Sequence, residues 1–94
     1  MLLDDVKLAL RISNTSYDSE ITDLIEQAKA DIKLVGVLES KILDTDILIK
    51  RAIITYCKAN FGWNNADAQR LQQSYEAIRN HLSMSIEYTV EVIL

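Results

Sequence analysis

The segment from Asp46 to Gly62, DILIKRAIITYCKANFG, constrains the fold more than any other part of the chain. As an α-helix it places its polar side chains on one arc roughly 140° wide, formed by Lys50, Arg51, Thr55 and Lys58. Most of the remaining circumference is apolar or small. A helix of this kind is buried by several neighbours at once, so the segment predicts the central helix of a small helical domain.

The composition is that of one helical globular domain. The chain has 94 residues with no proline and two glycines, and 49% of its residues are hydrophobic. A net charge of −4 argues against sequence-independent binding of nucleic acid, which requires a cationic face. The single cysteine, Cys57, cannot form an internal disulfide and is typical of a reducing compartment. The N-terminus has acids where a signal peptide has bases, and no apolar run approaches the ~18 residues of a membrane span, so we expect a soluble protein made in a cytoplasm, without membrane contact.

Two helices are predicted before the central one. The first spans Leu2 to Ile12 and is ended by four small polar residues, Ser13 to Ser16. The second is capped by Asp18 or Ser19 and runs to about Val35, with an amphipathic stripe formed by Ile21, Leu24, Ile25, Ala28, Ile32 and Val35. Gly36 is predicted to be the left-handed residue after it, with Val37 folding back onto the helix. The apolar connector 37–45 should pack over the edge of the core, and Asp44 is predicted to cap the central helix.

One helix and a segment of different pattern follow. Gly62 is predicted to end the central helix, with Trp63 packing back on it, and Asn64 or Asn65 to cap a fourth helix from about Ala66 to Ser83. Its apolar stripe is Ala68, Leu71, Tyr75, Ile78 and Leu82. From Ile86 apolar residues alternate with polar ones, which indicates a strand, yet no partner strand is apparent. A helix with Ile86, Val90, Ile93 and Leu94 on one face is the alternative.

The predicted fold is therefore all-α, a small bundle of four main helices around a central buried helix with an extended C-terminal segment. Residues 1–85 form the helical domain and residues 86–94 a C-terminal arm. The arm either docks outside its own bundle, on a neighbouring subunit or another protein, or packs against its own fourth helix.

No catalytic, cofactor-binding or metal-binding residues are predicted. His81 is the single histidine and has no Cys, Asp or Glu at ligand spacing. Cys57 lies on the buried helix and is interpreted as a small core residue. The triplet Asp44-Thr45-Asp46 lacks a third acid and is interpreted as helix capping. We therefore expect a protein that is not an enzyme and needs no cofactor.

A candidate subunit interface is predicted on the central helix and the C-terminal segment. The basic residues of the central helix, Lys50, Arg51 and Lys58, form either a solvated face or a contact for an acidic partner. Ile47 and Ile54 lie on the same arc, and they either form a subunit contact or are covered by the connector 37–45. With the alternating C-terminal residues, the candidate set is Ile47, Lys50, Ile54, Lys58, Tyr88, Val90 and Val92.

Two stretches resemble the phage head–tail connector family, whose members are also described as DNA-packaging proteins. The first is Leu2 to Ile12, the polar break, and Asp18 to Ala30. The second is Ala52 to Trp63 and Tyr75 to Leu82, followed by Ser83, Ser85, Glu87 and Tyr88. The matching positions are core residues and caps. Thr89 to Leu94 depart from the family's pattern.

The resemblance implies a helical adaptor with no catalytic residues. Such a protein assembles into a ring, commonly dodecameric, beneath the portal protein at the head–tail junction of the virion, after synthesis in the host bacterial cytoplasm. The ring extends the channel through which DNA passes without sequence-specific binding, and it presents a surface to the next connector or tail protein. A negatively charged channel wall lets DNA slide, in agreement with the charge of this chain.

Two other functions fit a small helical domain. One is a helix-turn-helix DNA-binding or regulatory domain, which the net charge disfavours, since the fourth helix offers only Arg70, Arg79 and His81 as basic residues. The other is a protein-interaction module outside any virion.

Overall fold

Five α-helices make up most of residues 2–62 and 65–91, the part of the chain that the computed structural model describes. They are α1 (Leu2–Leu10), α2 (Asp18–Leu34), α3 (Ile47–Asn60), α4 (Ala68–Ser83) and α5 (Ile86–Thr89), with a 3₁₀ turn at Glu39–Lys41 between α2 and α3. No strand occurs in the described ranges. The prediction of an all-α fold is confirmed.

Helix α3 is the centre of the molecule, as its sequence predicts. It packs against α1, α2 and α4, and its inward face contributes five buried residues, Ile49, Ala52, Ile53, Cys57 and Ala59. The opposite face is open to solvent: Ile47 is 81% exposed, so the alternative in which the connector covers this residue is wrong. The helix is thus buried on one side, where α1, α2 and α4 meet it, and exposed on the other.

Helix α2 supplies the second half of the core. Its predicted stripe is confirmed, with Ile21, Leu24, Ile25, Ala28 and Ile32 buried and Val35 packed against them. Gly36 has a φ of 104°, the left-handed conformation predicted for the residue that ends this helix. Val37 is 2% exposed, so the chain turns back onto the core directly after Gly36.

The residue that caps α3 is Asp46, and the prediction of Asp44 is wrong. A carboxylate oxygen of Asp46 accepts hydrogen bonds from the backbone amides of Leu48 (2.9 Å) and Ile49 (3.1 Å), which have no partner within the helix. Asp46 has the extended backbone of an N-cap, φ −79° and ψ 123°. Asp44 instead forms an ion pair with Lys29 at 3.3 Å.

Helix α4 begins two residues later than predicted, at Ala68. The side-chain oxygen of Asn65 accepts from the backbone amide of Asp67 (3.0 Å), so Asn65 stabilises the turn before the helix and does not cap the helix itself. The predictions for Trp63 and Asn64 lie outside the described residues. Helix α1 also ends earlier than predicted, at Leu10, because Arg11 has a left-handed φ of 60°.

The strand predicted from Ile86 onward is wrong, because residues Ile86–Thr89 form a turn of helix. Without a partner strand the backbone bonds locally: the amides of Thr89 and Val90 donate to the carbonyls of Ser85 and Ile86, both at 3.1 Å. Ile86 and Val90, which the helical alternative places on one face, are 72% and 49% exposed, and Tyr88 is the residue turned inward. Predictions for Val92, Ile93 and Leu94 lie outside the described residues.

Candidate subunit interface

Four of the predicted interface residues lie together on the outward face of α3. Ile47, Lys50, Ile54 and Lys58 line a shallow groove of about 480 Å³, completed by Arg51, Thr55 and Leu71. Leu71 belongs to α4, so the groove follows the seam between the two helices. Helical spacing alone determines which α3 residues share this face, which explains why the sequence predicts them.

The groove is cationic on an acidic protein. Lys50 is held by Asp5 of α1 at 3.3 Å, which neutralises part of its charge. Arg51 and Lys58 are exposed and have no acidic partner among the described residues. Two unpaired cations next to exposed isoleucine are therefore available to an acidic surface.

Tyr88 does not belong to this surface. Its side chain is 7% exposed, and its hydroxyl donates to the carboxylate oxygens of Asp46 at 3.1 and 3.0 Å. The backbone amide of Leu38 donates to the carbonyl of Tyr88 (2.9 Å), so the connector is joined to the same residue. Burial, and then the bond to Asp46, raises the pKa of Tyr88 to about 12. Tyr88 therefore holds α5 to its own chain, whereas Val90 is 49% exposed.

A cleft of about 410 Å³ lies between the start of α3, α4 and α5. Its lining is largely apolar and consists of Leu48, Ile78, His81, Leu82, Ser85, Glu87 and Tyr88. His81 is exposed at the end of α4, in agreement with the prediction that it is an end-of-helix residue. Exposed Met84 and Ile86 follow in the connection and in α5, so this end of the molecule is also rich in apolar surface.

An aromatic and polar cluster fixes α4 against α2 and α3. The buried Tyr75 donates its hydroxyl proton to Asp31 (2.5 Å), and Arg79 bonds the same carboxylate oxygen at 3.0 Å. The ring of Tyr75 meets that of Tyr56 edge-to-face at 5.0 Å, and the hydroxyl of Tyr56 donates to Gln27 at 3.2 Å. Burial raises the pKa of Tyr75, and its bond to Asp31 adds to the rise. These contacts hold α4, which contributes Leu71 to the groove, in place against α2 and α3.

The thiol of Cys57 is not poised for chemistry. It is fully buried, and burial raises its pKa to about 12, so its thiolate form is scarce at neutral pH. Among residues 2–62 and 65–91, no cluster of three or more His, Cys, Asp or Glu side chains could hold a metal ion. Likewise, no helix of that part of the chain is long and apolar enough to cross a membrane.

Sequence reasoning missed the bonds of Asp31 and the place of Leu71 in the groove, and it assigned the cap of α3 to Asp44 and not to Asp46. Asp31 lies on α2, and its partners Tyr75 and Arg79 lie far away on α4, so no local pattern connects them. The sequence did contain a signal for Leu71, because it belongs to the apolar stripe predicted for the fourth helix and also lines the groove.

The comparison with protein families gives one result. A family model described as "Phage connector protein" matches residues 2–89, which cover all five helices. The matched range includes the α3 groove, the Tyr75 cluster and α5. Searches of curated proteins and of solved structures returned no match. This chain belongs to the phage connector protein family.

Proposed function

We propose that this connector is an adaptor that forms a ring at the head–tail junction of a tailed phage or prophage. The ring, dodecameric in the virion, lies below the portal protein, extends the DNA channel and contacts the next connector or tail protein. The observation that carries the proposal is the match to the connector family over residues 2–89. Assembly takes place in the host bacterial cytoplasm.

The charge of the chain supports a channel through which DNA slides. With a net charge of −4, a ring of many copies is strongly acidic, and it makes few of the phosphate contacts that would retain DNA. In this arrangement the unpaired side chains of Arg51 and Lys58 in the α3 groove contact a neighbouring protein and do not face the DNA.

The adaptor acts structurally and not as an enzyme. Its buried thiol and its lone exposed histidine offer no nucleophile–base pair within the described residues. The candidate subunit contacts are Ile47, Lys50, Ile54 and Lys58, which line one groove. Val90 and Val92 remain candidates for further subunit contacts.

The helix-turn-helix alternative receives little support from the arginines of α4. Arg70 forms an ion pair with Asp67 at 3.6 Å, and Arg79 is directed inward to Asp31. Arg79 is therefore not free for base contacts, which leaves the exposed Arg70 as the one arginine of α4 that faces solvent. A gel shift at low salt tests this alternative, and we expect no shifted band.

The proposed function is tested in the phage that encodes the chain. We expect deletion of the gene to stop the joining of heads to tails, and a plasmid copy to restore infectious particles. A reconstruction of the restored particle should show a ring of this protein below the portal. Infectious tailed particles without the protein, or restored particles without the ring, would show that the proposed function is wrong.

A further inference from the structure

The outward face of α3 carries apolar and basic residues in alternation. Ile47, Arg51, Ile54 and Lys58 recur at helical spacing, so they form one stripe about 16 Å long. Ile47 at the start of the stripe is 81% exposed, and Lys58 at its end has no ion pair within the described residues. The stripe is therefore apolar at its N-terminal end and cationic at its C-terminal end.

The outward face of α2 carries a complementary stripe. Asp23, Glu26, Ala30 and Leu34 also recur at helical spacing over about 16 Å, and all are exposed. No described residue pairs with Asp23 or Glu26, whereas the adjacent Lys33 is occupied by Glu39 at 3.6 Å. Leu34 at the far end is 84% exposed. This stripe is acidic at its N-terminal end and apolar at its C-terminal end.

The exposed residues of the two stripes lie outside the core that α2 and α3 share. Helices α2 and α3 pack against each other through their buried residues, Ile21 to Ile32 on one and Ile49 to Cys57 on the other. Because each stripe lies on the side of its helix away from that core, one molecule cannot bring its own stripes together. Two copies can.

We infer that the α3 stripe of one copy binds the α2 stripe of the next copy, with the two helices antiparallel. In this arrangement Lys58 meets Asp23 and Ile47 meets Leu34. Glu26 lies opposite Ile54, about one helical turn from both Arg51 and Lys58, within reach of their long side chains. A parallel arrangement would instead place the apolar Ile47 against Asp23. The inference rests on the proposed function, since it names the contact by which the ring is built.

Contact between two different faces has a consequence for assembly. A contact that joins unlike surfaces on opposite sides of a molecule repeats from copy to copy, and it closes into a ring when the rotation between copies allows. A contact of the α3 stripe with itself would stop at a dimer. The pairing of unlike stripes is therefore the property that a ring-forming adaptor needs.

Charge reversal tests the pairing. One variant carries Arg51→Glu and Lys58→Glu, and a second carries Asp23→Lys and Glu26→Lys. We expect each variant alone to lose self-association at least tenfold in sedimentation velocity at high protein concentration, because like charges then face each other. An equimolar mixture should recover it, since the reversed stripe of each variant meets an oppositely charged stripe of the other. The control, Arg11→Glu with Lys41→Glu, changes net charge as the first variant does but lies off both stripes, and it should associate as the unmodified chain does.

Disulfide cross-linking tests the same pairing with a single substitution in each chain, so it does not require the reversal of several charges. We expect Asp23→Cys and Lys58→Cys chains, mixed, to form a disulfide between the two variants at least tenfold faster than either variant forms one with itself. The buried Cys57 does not compete.

Three outcomes overturn the inference: an unmodified chain that stays monomeric at every soluble concentration, a mixture that does not recover association, or cross-linking without preference. If virions still contain the ring in any of these cases, the proposed function stands and only the pairing is wrong. If virions lack the ring, the proposed function itself fails.

Discussion

Asp46 performs two tasks at the residue scale. Its carboxylate accepts from the first free amides of α3 and from the hydroxyl of Tyr88 in α5. One side chain thus ends the connector, begins the central helix and holds the last helical turn. The sequence predicts Asp44 as the cap, two residues too early, because composition does not distinguish the two aspartates.

We expect Asp46→Ala to lower the free energy of unfolding by about 2 kcal/mol, the upper range for losing an N-cap, because the Tyr88 hydroxyl also loses its acceptor. Asp44→Ala is the matched control. It removes only the half-exposed ion pair with Lys29 and should cost less than about 0.5 kcal/mol. Urea denaturation of the two variants measures the difference. Equal losses would show that Asp46 has no special role.

The raised pKa of Tyr88 predicts a pH dependence. The neutral hydroxyl is favoured in the folded state, where the pKa is about 12 against an ordinary value of 10.0. Its stabilisation is therefore fully present below pH 10 and is lost as pH rises from 10 to 12. We expect the unmodified chain to be more stable than Tyr88→Phe at pH 8, by about 1.5 kcal/mol. The difference should shrink steadily above pH 10 in urea denaturation. A difference that is constant from pH 8 to 12 would contradict the assignment.

At the scale of elements, α5 is an integral part of the bundle. It is a single turn of helix, too short to be stable alone, and it persists because Tyr88 is buried and bonded at both its hydroxyl and its carbonyl. Deleting residues 87–94 should therefore destabilise the monomer by about 3 kcal/mol, the range for losing a buried aromatic side chain. That loss corresponds to a melting temperature roughly 12–24 °C lower.

Deleting residues 92–94 is the control for this truncation, since it leaves Tyr88 and its bonds in place. The melting temperature of this shorter truncation should stay within about 2–4 °C of the full chain, as expected for a change of up to 0.5 kcal/mol. If deletion of 87–94 also leaves the melting temperature unchanged, the segment is an arm that contributes only to assembly.

The helices with long apolar stripes could be predicted from the sequence. The conformation of short segments, such as the turn at Ile86–Thr89, could not. The stripes of α2 and α4 and the shared face of Ile47, Lys50, Ile54 and Lys58 follow from helical spacing alone. The turn Ile86–Thr89 does not, because four residues fit a strand and a helix equally well and burial of Tyr88 decides between them. The bond from Tyr75 to Asp31 joins distant parts of the chain, so no local pattern indicates it.

At the scale of the whole molecule, the bundle is elongated. Its principal extents are 46 × 26 × 18 Å and its radius of gyration is 13.6 Å, above the roughly 12.4 Å typical of a compact domain of this length. The exposed stripes of α2 and α3 both lie outside the core that the two helices share. A flat, elongated subunit with unlike faces is suited to stacking side by side around a channel.

The charged stripes predict that self-association weakens with salt. Screening shortens the reach of exposed charges from about 10 Å at 0.1 M to about 3 Å at 1 M salt. We expect the dissociation constant of the unmodified chain to rise at least several-fold over this range in sedimentation equilibrium. The Arg11→Glu, Lys41→Glu control should show the same salt dependence. Association that strengthens with salt would mean that the contact is apolar and that the charges are incidental.

The bond between the amide of Leu38 and the carbonyl of Tyr88 connects the loop after α2 to the end of the described chain. The Leu38 amide hydrogen therefore exchanges with deuterium only when α5 detaches or the molecule opens more widely. Its exchange rate measures how often the C-terminal segment leaves the bundle, without any truncation of the chain. If the segment detaches when copies assemble, the Leu38 amide will exchange faster in the assembled ring than in the free subunit, whereas the amides in the middle of α3 will not.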